Sequence, residues 1–492
     1  MIDTKKAKEL NEAIVFDAWI DAHGDHIDAL ASKLTGLCFE NKIRKRTDQY
    51  LPQPNTLIAN FLICRERGNR WLSIPFSSTA YPGGRYKEPV TKPIIVDGLI
   101  RTLIKLDLVE YVKGYRSDKR ELYSEGRNTR IRPKGRLKNW IKSCDGAEIR
   151  QKQLTEPVHV QLKEKLPFNP KIKQSKSKSI LVDYIDTPFT NELRNNLRTL
   201  NNFINPAFVD IWLPDPIYKE ALKDCKYYSK QYYCVYNDPE FTKGGRLYGH
   251  YIQQIKKRYR PYITINHVMT QELDYVGLNP NIMYHQAGAE MEGDPYLLDV
   301  DFYNSSLRDS VKRILFIMTN CTSYKQTKRA IQDKVNKVDN DKIVLVAGLD
   351  IDYQIETIIQ ALLNKHHVIA DRFFQPVPAG WALQVLDSKI ALGVMLEMMH
   401  LHKAVALSIH DSFIVQSTYL NALKTSMVEV YRREVGYTPL ISEFINTELG
   451  LRIDEGSSCS HSLYEQRALQ YLKNKGEVPE YPLEPPDIFP AV

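Results

Sequence analysis

The segment AVALSIHDSFIV, residues 404–415, constrains the fold more than any other stretch of the chain. Two apolar strands, VALSI and SFIV, flank the polar pair His410-Asp411. A run of that kind reads as a buried hairpin with a carboxylate at its tip. Burying a carboxylate is costly unless it is paired or meets a cation. An Asp in a turn is ordinary by itself. Strongly apolar strands on both sides shift the reading toward a functional Asp411.

The rest of the chain must supply a scaffold for that hairpin. Its 492 residues imply two or three domains, and 43% apolar content allows sizeable cores. The first twenty residues carry no secretory pattern. No window approaches the roughly 18 apolar residues of a membrane span, so no membrane partner is expected. Seven scattered cysteines without a C-x-x-C pair argue against a disulfide framework or a cysteine-ligated zinc. His366-His367 and Cys459-x-His461 are only pairs, better read as packed or solvated residues than as metal sites. The expectation is a cytoplasmic protein of a reducing compartment. The sequence does not give the oligomeric state.

The net charge of +8 is concentrated. Between Lys113 and Asp145 eleven Lys or Arg face four Asp or Glu. Just before this cluster, Val96, Leu99, Ile100, Leu103 and Ile104 repeat at helical spacing. The strand-like DLVEYVKGY, the polar turn SDKRELYSEGRN and the strand-like TRIRPKG follow. Helix, strand, basic loop and strand is the order of a winged helix-turn-helix, expected here at about 55–142. Its wing would carry Arg127, Arg130, Arg132 and Lys134 along phosphates. A small helix-hairpin unit with a wet basic edge is the plainer alternative. The run KIKQSKSKS at 171–179 has no apolar period and reads as a linker or flexible loop.

Two further segments carry chemistry. In QELDYVGLNPNIMY, residues 271–284, alternation leads into Asp274 and a helix-like pattern follows. An Asp at a strand end can ligate a metal, although a helix N-cap is the commoner role. In RDSVKRILFIMTN, residues 308–320, Arg308, Lys312, Phe316 and Asn320 recur every fourth residue and share one helix face. Two cations followed by a ring suit a nucleoside triphosphate, with charges for the phosphates and a flat surface for base or sugar. An amphipathic surface helix with one buried Phe is equally compatible. Two Asp residues distant in sequence can converge on two divalent metals about 3.5–4 Å apart. Mg²⁺ suits such a site, because it binds through a few carboxylates plus substrate phosphates. The combination reads as nucleotidyl transfer.

This order of motifs resembles the polymerase core of family A DNA polymerases, the DNA polymerase I type, and the related single-subunit phage RNA polymerases. TKGGRLYGHYIQQIKKRYR is similar to the segment ahead of the first catalytic strand, which implies primer-template contacts for Arg246, Gln254 and Arg260. ELDYVGL resembles motif A, HDS resembles motif C, and Arg308, Lys312 and Phe316 match the register of motif B. The resemblance implies Asp274 and Asp411 as catalytic ligands of two Mg²⁺ ions, with Mn²⁺ as a substitute. It implies His410 near the primer end and Gln384 near the template-primer junction, the latter at a shorter spacing to motif C than usual. Arg308, Lys312, Phe316, Asn320 and Asn279 are implied at the incoming nucleotide. The resemblance covers residues 240–420, about a third of the chain.

The departures bear on sugar choice. Asn279 stands where DNA-synthesising relatives usually have Glu, and Asn320 where motif B usually has Tyr. Ser412 follows the His-Asp-Ser form of the RNA enzymes, whereas the closeness of the Gly-Arg segment to motif A follows the DNA enzymes. The spacing weighs more, and DNA synthesis from a primer-template and nucleoside triphosphates is the leading expectation. A primase or RNA polymerase using NTPs is one alternative. A non-catalytic winged-helix DNA-binding protein with an inactive palm is another, and a nuclease a third. No acidic set for a 3′–5′ exonuclease is visible, and a DNA-finding unit in its place suits a replication protein of a phage, plasmid or other mobile element.

The resulting fold expectation is α+β, a right-hand polymerase of palm, fingers and thumb behind a winged-helix-like N-terminal domain. The expected segments are 1–150 N-terminal, 151–180 basic linker, and 181–265 thumb-like and primer-template-contacting. Residues 266–300 form palm with motif A, 301–400 fingers, 401–475 palm with motif C and C-terminal helices, and 476–492 a proline-rich tail.

Overall fold

The fold was examined in a computed structural model that describes residues 4–41, 53–81, 83–116, 126–144, 146–169, 174–223, 225–336, 342–443 and 461–476. It is a mixed α+β chain built on two hydrophobic cores. One core gathers residues between Ile20 and Cys144 and takes in Tyr228, and the other runs from Val158 to Ala468.

In the N-terminal unit, helices Asp25–Glu40 and Pro54–Glu66 precede strand Leu72–Ile74. A wide-wound helical segment, Pro93–Ile100, continues into helix Arg101–Lys105. Its Val96, Leu99, Ile100 and Leu103 are fully buried, the face that the sequence spacing marks, while Ile104 is half-buried. Strands Val109–Val112 and Thr129–Pro133 follow. The sheet order is Leu72–Ile74, Thr129–Pro133, Val109–Val112, all antiparallel, with Ile14–Val15 added in parallel at the outer edge. Tyr115–Arg116 pairs antiparallel with Gly126–Arg127 in the stretch where the sequence expects a wing. Its tip, 117–125, lies outside the described residues, as does the tail from 477.

The expected linker at 151–180 is corrected by the structure. Strands Val158–Asn169 and Gln174–Leu181 form an antiparallel hairpin, and the first also pairs in parallel with Tyr233–Tyr236. Lys and Ser alternating along the strand Gln174–Leu181 hid its extended character, because the partner strand supplies the hydrogen bonds that a hydrophobic face would otherwise advertise. The two units also touch directly, through Arg67 Nη2 donating to the Cys225 carbonyl at 2.9 Å and the Lys226–Asp17 ion pair at 3.0 Å.

The central sheet runs Val209–Ile211, Ile263–Ile265, Val268–Tyr275, Ser412–Gln416, Ala406–Ile409, with Ile441–Glu443 added beside Val268–Tyr275. Every pairing in it is antiparallel. Segment 181–265 lends strands to two sheets around helices Pro188–Ile204 and Asp215–Leu222. Between 301 and 400 the longer elements are helices: Arg308–Asn320, Tyr324–Val335, Ile351–Lys365 and Ala379–Glu397. The last, with its extension to His402, is the one described helix long and apolar enough by composition to cross a membrane. Half of that window is buried, because the helix packs on strand Gly244–Tyr248 and helix Leu420–Val435.

Below the sheet, His250 is fully buried between the rings of Tyr232 and Tyr251, at centroid distances of 5.3 and 5.4 Å. Burial first, then the charge of Lys230, pushes its imidazole down to about 3. The unfolded state binds a proton near the ordinary value of about 6.5, so the folded state is at full advantage above it. Stability is then lost as pH falls from 6.5 toward 3, by at most about 1.4 kcal/mol per pH unit from this group. His250→Phe is expected to flatten the acid limb of a plot of urea midpoint against pH. An unchanged limb would show that this imidazole is not a source of the acid sensitivity.

Candidate active site

Strand Val268–Tyr275 ends with Asp274 opposite Ser412 on one side and Ser442 on the other. Asp411 precedes Ser412, and its carbonyl accepts from the Tyr275 amide at 3.4 Å. The two candidate carboxylates thus stand at one end of the sheet, Asp274 on its strand and Asp411 in the turn that leads into the neighbouring strand. Burial, then the charge of Asp411, raises the Asp274 carboxyl to about 7, while Lys312 and Lys257 pull it down. Oδ1 of Asp274 is buried without a hydrogen-bond partner. Such an orphaned acceptor beside a second carboxylate can be met by a proton or by a cation.

The hairpin tip is held in a strained form. Ile409 and Ser412 pair, leaving His410-Asp411 as a two-residue turn, and His410 sits at φ 61°. A non-glycine residue there is costly and persists only where neighbours fix it. They do: Ser408 Oγ donates to the His410 carbonyl at 3.0 Å, and Ser412 Oγ donates to Glu272 at 2.6 Å. Tyr232 donates from beneath to the Ser408 carbonyl at 3.0 Å. His410 itself meets solvent. Desolvation by the surrounding protein, then the charge of Arg246, pushes its imidazole below the ordinary histidine value.

Helix Arg308–Asn320 presents Arg308, Lys312 and Phe316 on an exposed row, Phe316 being 43% exposed. Arg308 donates through Nε to Asp294 at 2.6 Å. Lys312 has no ion-pair partner among the described residues and is the leading positive charge acting on Asp274. Asn320 turns away into packing: its Nδ2 donates to the Phe316 carbonyl at 2.8 Å and its amide lies against Gly380, where a side chain would collide. Asn279, half-buried in helix Leu278–Gln286, makes no side-chain hydrogen bond among the described residues.

Strand Gly244–Tyr248 carries Arg246 to the same end. Gly245 lies at φ 85°, and a Cβ there would stand 2.7 Å from Ser388 Oγ, so only glycine lets this strand reach helix Ala379–Glu397 so closely. That contact sets Arg246 Nε 3.7 Å from Asp387 Oδ2. Sequence reasoning missed Asp387. It is 5% exposed, and burial, then Asp411, raises its carboxyl to about 7 while Arg246 opposes. The signal was available, since a lone Asp within the apolar run of a buried helix demands a partner. Gln384 lies one turn earlier on that helix, half-buried.

Other expected contacts are turned to structural use. Arg260 pairs with Glu272 at 3.1 Å, the same carboxylate that receives Ser412, and so braces the hairpin. The exposed Gln254 accepts from the Lys226 amide at 3.2 Å. In the N-terminal unit Arg132 pairs with Glu110 at 2.9 Å and lies over Trp71, and Lys134 pairs with Asp107 at 2.8 Å. Arg130 donates to the Leu10 carbonyl at 2.9 Å, and Arg127 stacks over Tyr115. His366, one of the sequence pairs, is buried and hydrogen-bonded to the Pro295 carbonyl at 3.0 Å.

Among the described residues no group of three or more His, Cys, Asp or Glu gathers as a ready metal cage. Two carboxylates, one with an orphaned oxygen, fit a hard oxygen-loving ion whose remaining ligands come from substrate and water. No protein-family model matches the sequence, and no curated protein does. Among solved structures the chain is similar to the POL domain of Pol1 from M. smegmatis, in complex with DNA primer-template and dNTP, at 14% identity and a TM-score of 0.29, over 41% of this chain and 45% of that one. The chain thus spans less than half of the structure that it matches.

Proposed function

We propose that the chain is a template-directed nucleotidyltransferase that extends a DNA primer with deoxynucleoside triphosphates. The observation that carries this reading is the pairing of Asp274 with Ser412, which sets Asp274 beside the turn that holds Asp411, with Lys312 of an exposed Arg-Lys-Phe row as the leading positive charge acting on Asp274. A nuclease would have no use for that row.

In this reading the palm is the central antiparallel sheet and the fingers are the helices of 301–400. Asp274 and Asp411 hold divalent cations, Mg²⁺ by preference. Those ions, when bound, supply Lewis acidity for the primer 3′ hydroxyl and balance charge on the leaving pyrophosphate. Arg308 and Lys312 neutralise the outer phosphates, and the exposed ring of Phe316 packs on the base or sugar. His410 and charged Arg246 meet the primer end, with Asp387 orienting Arg246 from below. The N-terminal unit, in the helix-strand-helix-strand-strand order of a winged helix, grips duplex DNA by its wing and basic edge.

Primer extension in Mg²⁺, with dNTPs and NTPs offered separately, tests this reading. Extension with dNTPs is expected. A second reading, an NTP-using primase or RNA polymerase, is favoured by Ser412 and by the withdrawal of Asn320 into packing, and NTP-only extension would establish it. Tight DNA binding without extension by either would favour the non-catalytic protein. Asp387→Asn leaves Arg246 without its buried counter-charge and is expected to weaken primer-template binding by roughly tenfold while sparing the KM for nucleotide. Filter-binding titration beside steady-state kinetics separates the two.

A further inference from the structure

Tyr296 lies in the loop between helices Leu278–Gln286 and Arg308–Asn320, outside every motif that the sequence offered. It is 6% exposed. Its ring lies beneath both cations of the row, with the Arg308 guanidinium 5.1 Å and the Lys312 ammonium 5.8 Å from its centroid. Its backbone is fixed on both sides. The amide donates to Asp294 at 2.9 Å, and Tyr303 donates to its carbonyl at 3.1 Å. Asp294 also holds Arg308, so one carboxylate sets the ring and the guanidinium together.

The phenol group has no such partner. Its oxygen makes no hydrogen bond among the described residues and, although the ring is buried, is not sealed from solvent, so a ligand can reach it. Burial, then the charge of Asp411, holds the phenol well above its ordinary range, and Asp294 and Asp274 act in the same direction. The hydroxyl therefore stays protonated and can donate. A protonated, unpartnered donor thus stands within the field of the carboxylate pair and beneath the cation row.

We infer that Tyr296 is a triphosphate-binding residue: its hydroxyl donates to a β- or γ-phosphate oxygen of the incoming nucleotide, and its ring positions Arg308 and Lys312 over the same phosphates. This rests on the nucleotidyltransferase reading and extends it to the recognition of the leaving pyrophosphate. The plainer role is core packing, which the ring alone would fill.

Tyr296→Phe keeps the ring and removes the donor, so it separates the two. It is expected to raise the KM for dNTP roughly tenfold, to raise that for pyrophosphate in the reverse reaction alike, and to leave primer-template affinity unchanged. Tyr296→Ala, which also removes the platform, is expected to raise both further. Binding is read without turnover by the shift in melting temperature that dNTP and Mg²⁺ produce, which should shrink in Tyr296→Phe. If the wild type extends primers and Tyr296→Phe equals it in nucleotide KM, pyrophosphate KM and melting shift, the assignment to Tyr296 is overturned and the enzyme reading stands. If the wild type neither extends a primer nor shifts with dNTP and Mg²⁺, both are overturned.

Discussion

Asp274→Asn should incorporate nucleotide at least roughly a thousandfold more slowly than the wild type and still bind primer-template, and Asp411→Asn should match it. The argument is electrostatic. Ionising Asp274 works against burial and against Asp411, which is why its carboxyl rises to about 7. Its Oδ1 receives no hydrogen bond from the protein, and the charges of Lys312 and Lys257 offset the rise only in part. A site of this kind trades stability for function. Without divalent ions the isosteric amide relieves the repulsion, so Asp274→Asn is expected to melt no lower than the wild type at pH 8. With Mg²⁺ the wild type should gain stability and the variant should gain little. Calorimetry with and without Mg²⁺ reads this independently of turnover. A variant that keeps normal incorporation, or a wild type indifferent to Mg²⁺ in both assays, would sink the metal assignment.

How far the sequence carries this site depends on whether a residue's partner is local. The hairpin at 404–415 was legible because both strands are apolar and the polar pair between them is short. The row of Arg308, Lys312 and Phe316 was legible because helical spacing alone puts them on one face. Asp387, Glu272 and Tyr296 were not, because each acquires meaning from a neighbour far along the chain. Asp387 meets Arg246 only because Gly245 lets a strand press against a helix. Glu272 is fixed by Arg260 and Ser412 from two other elements. The linker expected at 151–180 failed for the same reason. Val158, Val160 and Leu162 alternate with polar residues, and the first two are buried, but the Lys- and Ser-rich run after them masked the hairpin, and the pairing of 158–160 with Tyr233–Tyr236 is a long-range event. Composition located the basic cluster of 113–145, but Arg132 and Lys134 proved to be paired with acids nearby.

The cation row makes the second large prediction, and its two members should differ. Arg308 is anchored to Asp294, and its charge is partly spent there. Lys312 has no such anchor among the described residues, and it is the foremost positive charge acting on Asp274. It therefore serves twice, meeting the phosphates and helping to keep Asp274 ionised. Lys312→Ala should cut kcat/KM for nucleotide by roughly 100- to 1000-fold, and Arg308→Ala by less. The loss of Lys312 also removes what opposes the rise of the Asp274 carboxyl, whose ionisation would then need a higher pH. The sign follows directly: the carboxylate is the working form, and anything that raises its folded value moves the acid limb of the rate profile upward. The acid limb of Lys312→Ala is accordingly expected above that of the wild type, while Lys312→Arg, which restores the charge, should recover the limb more fully than the KM. Profiles of kcat/KM against pH for the three proteins check this. A limb that stays in place in Lys312→Ala would mean that Lys312 serves the phosphates alone and that Asp274 owes its ionisation to the bound cation.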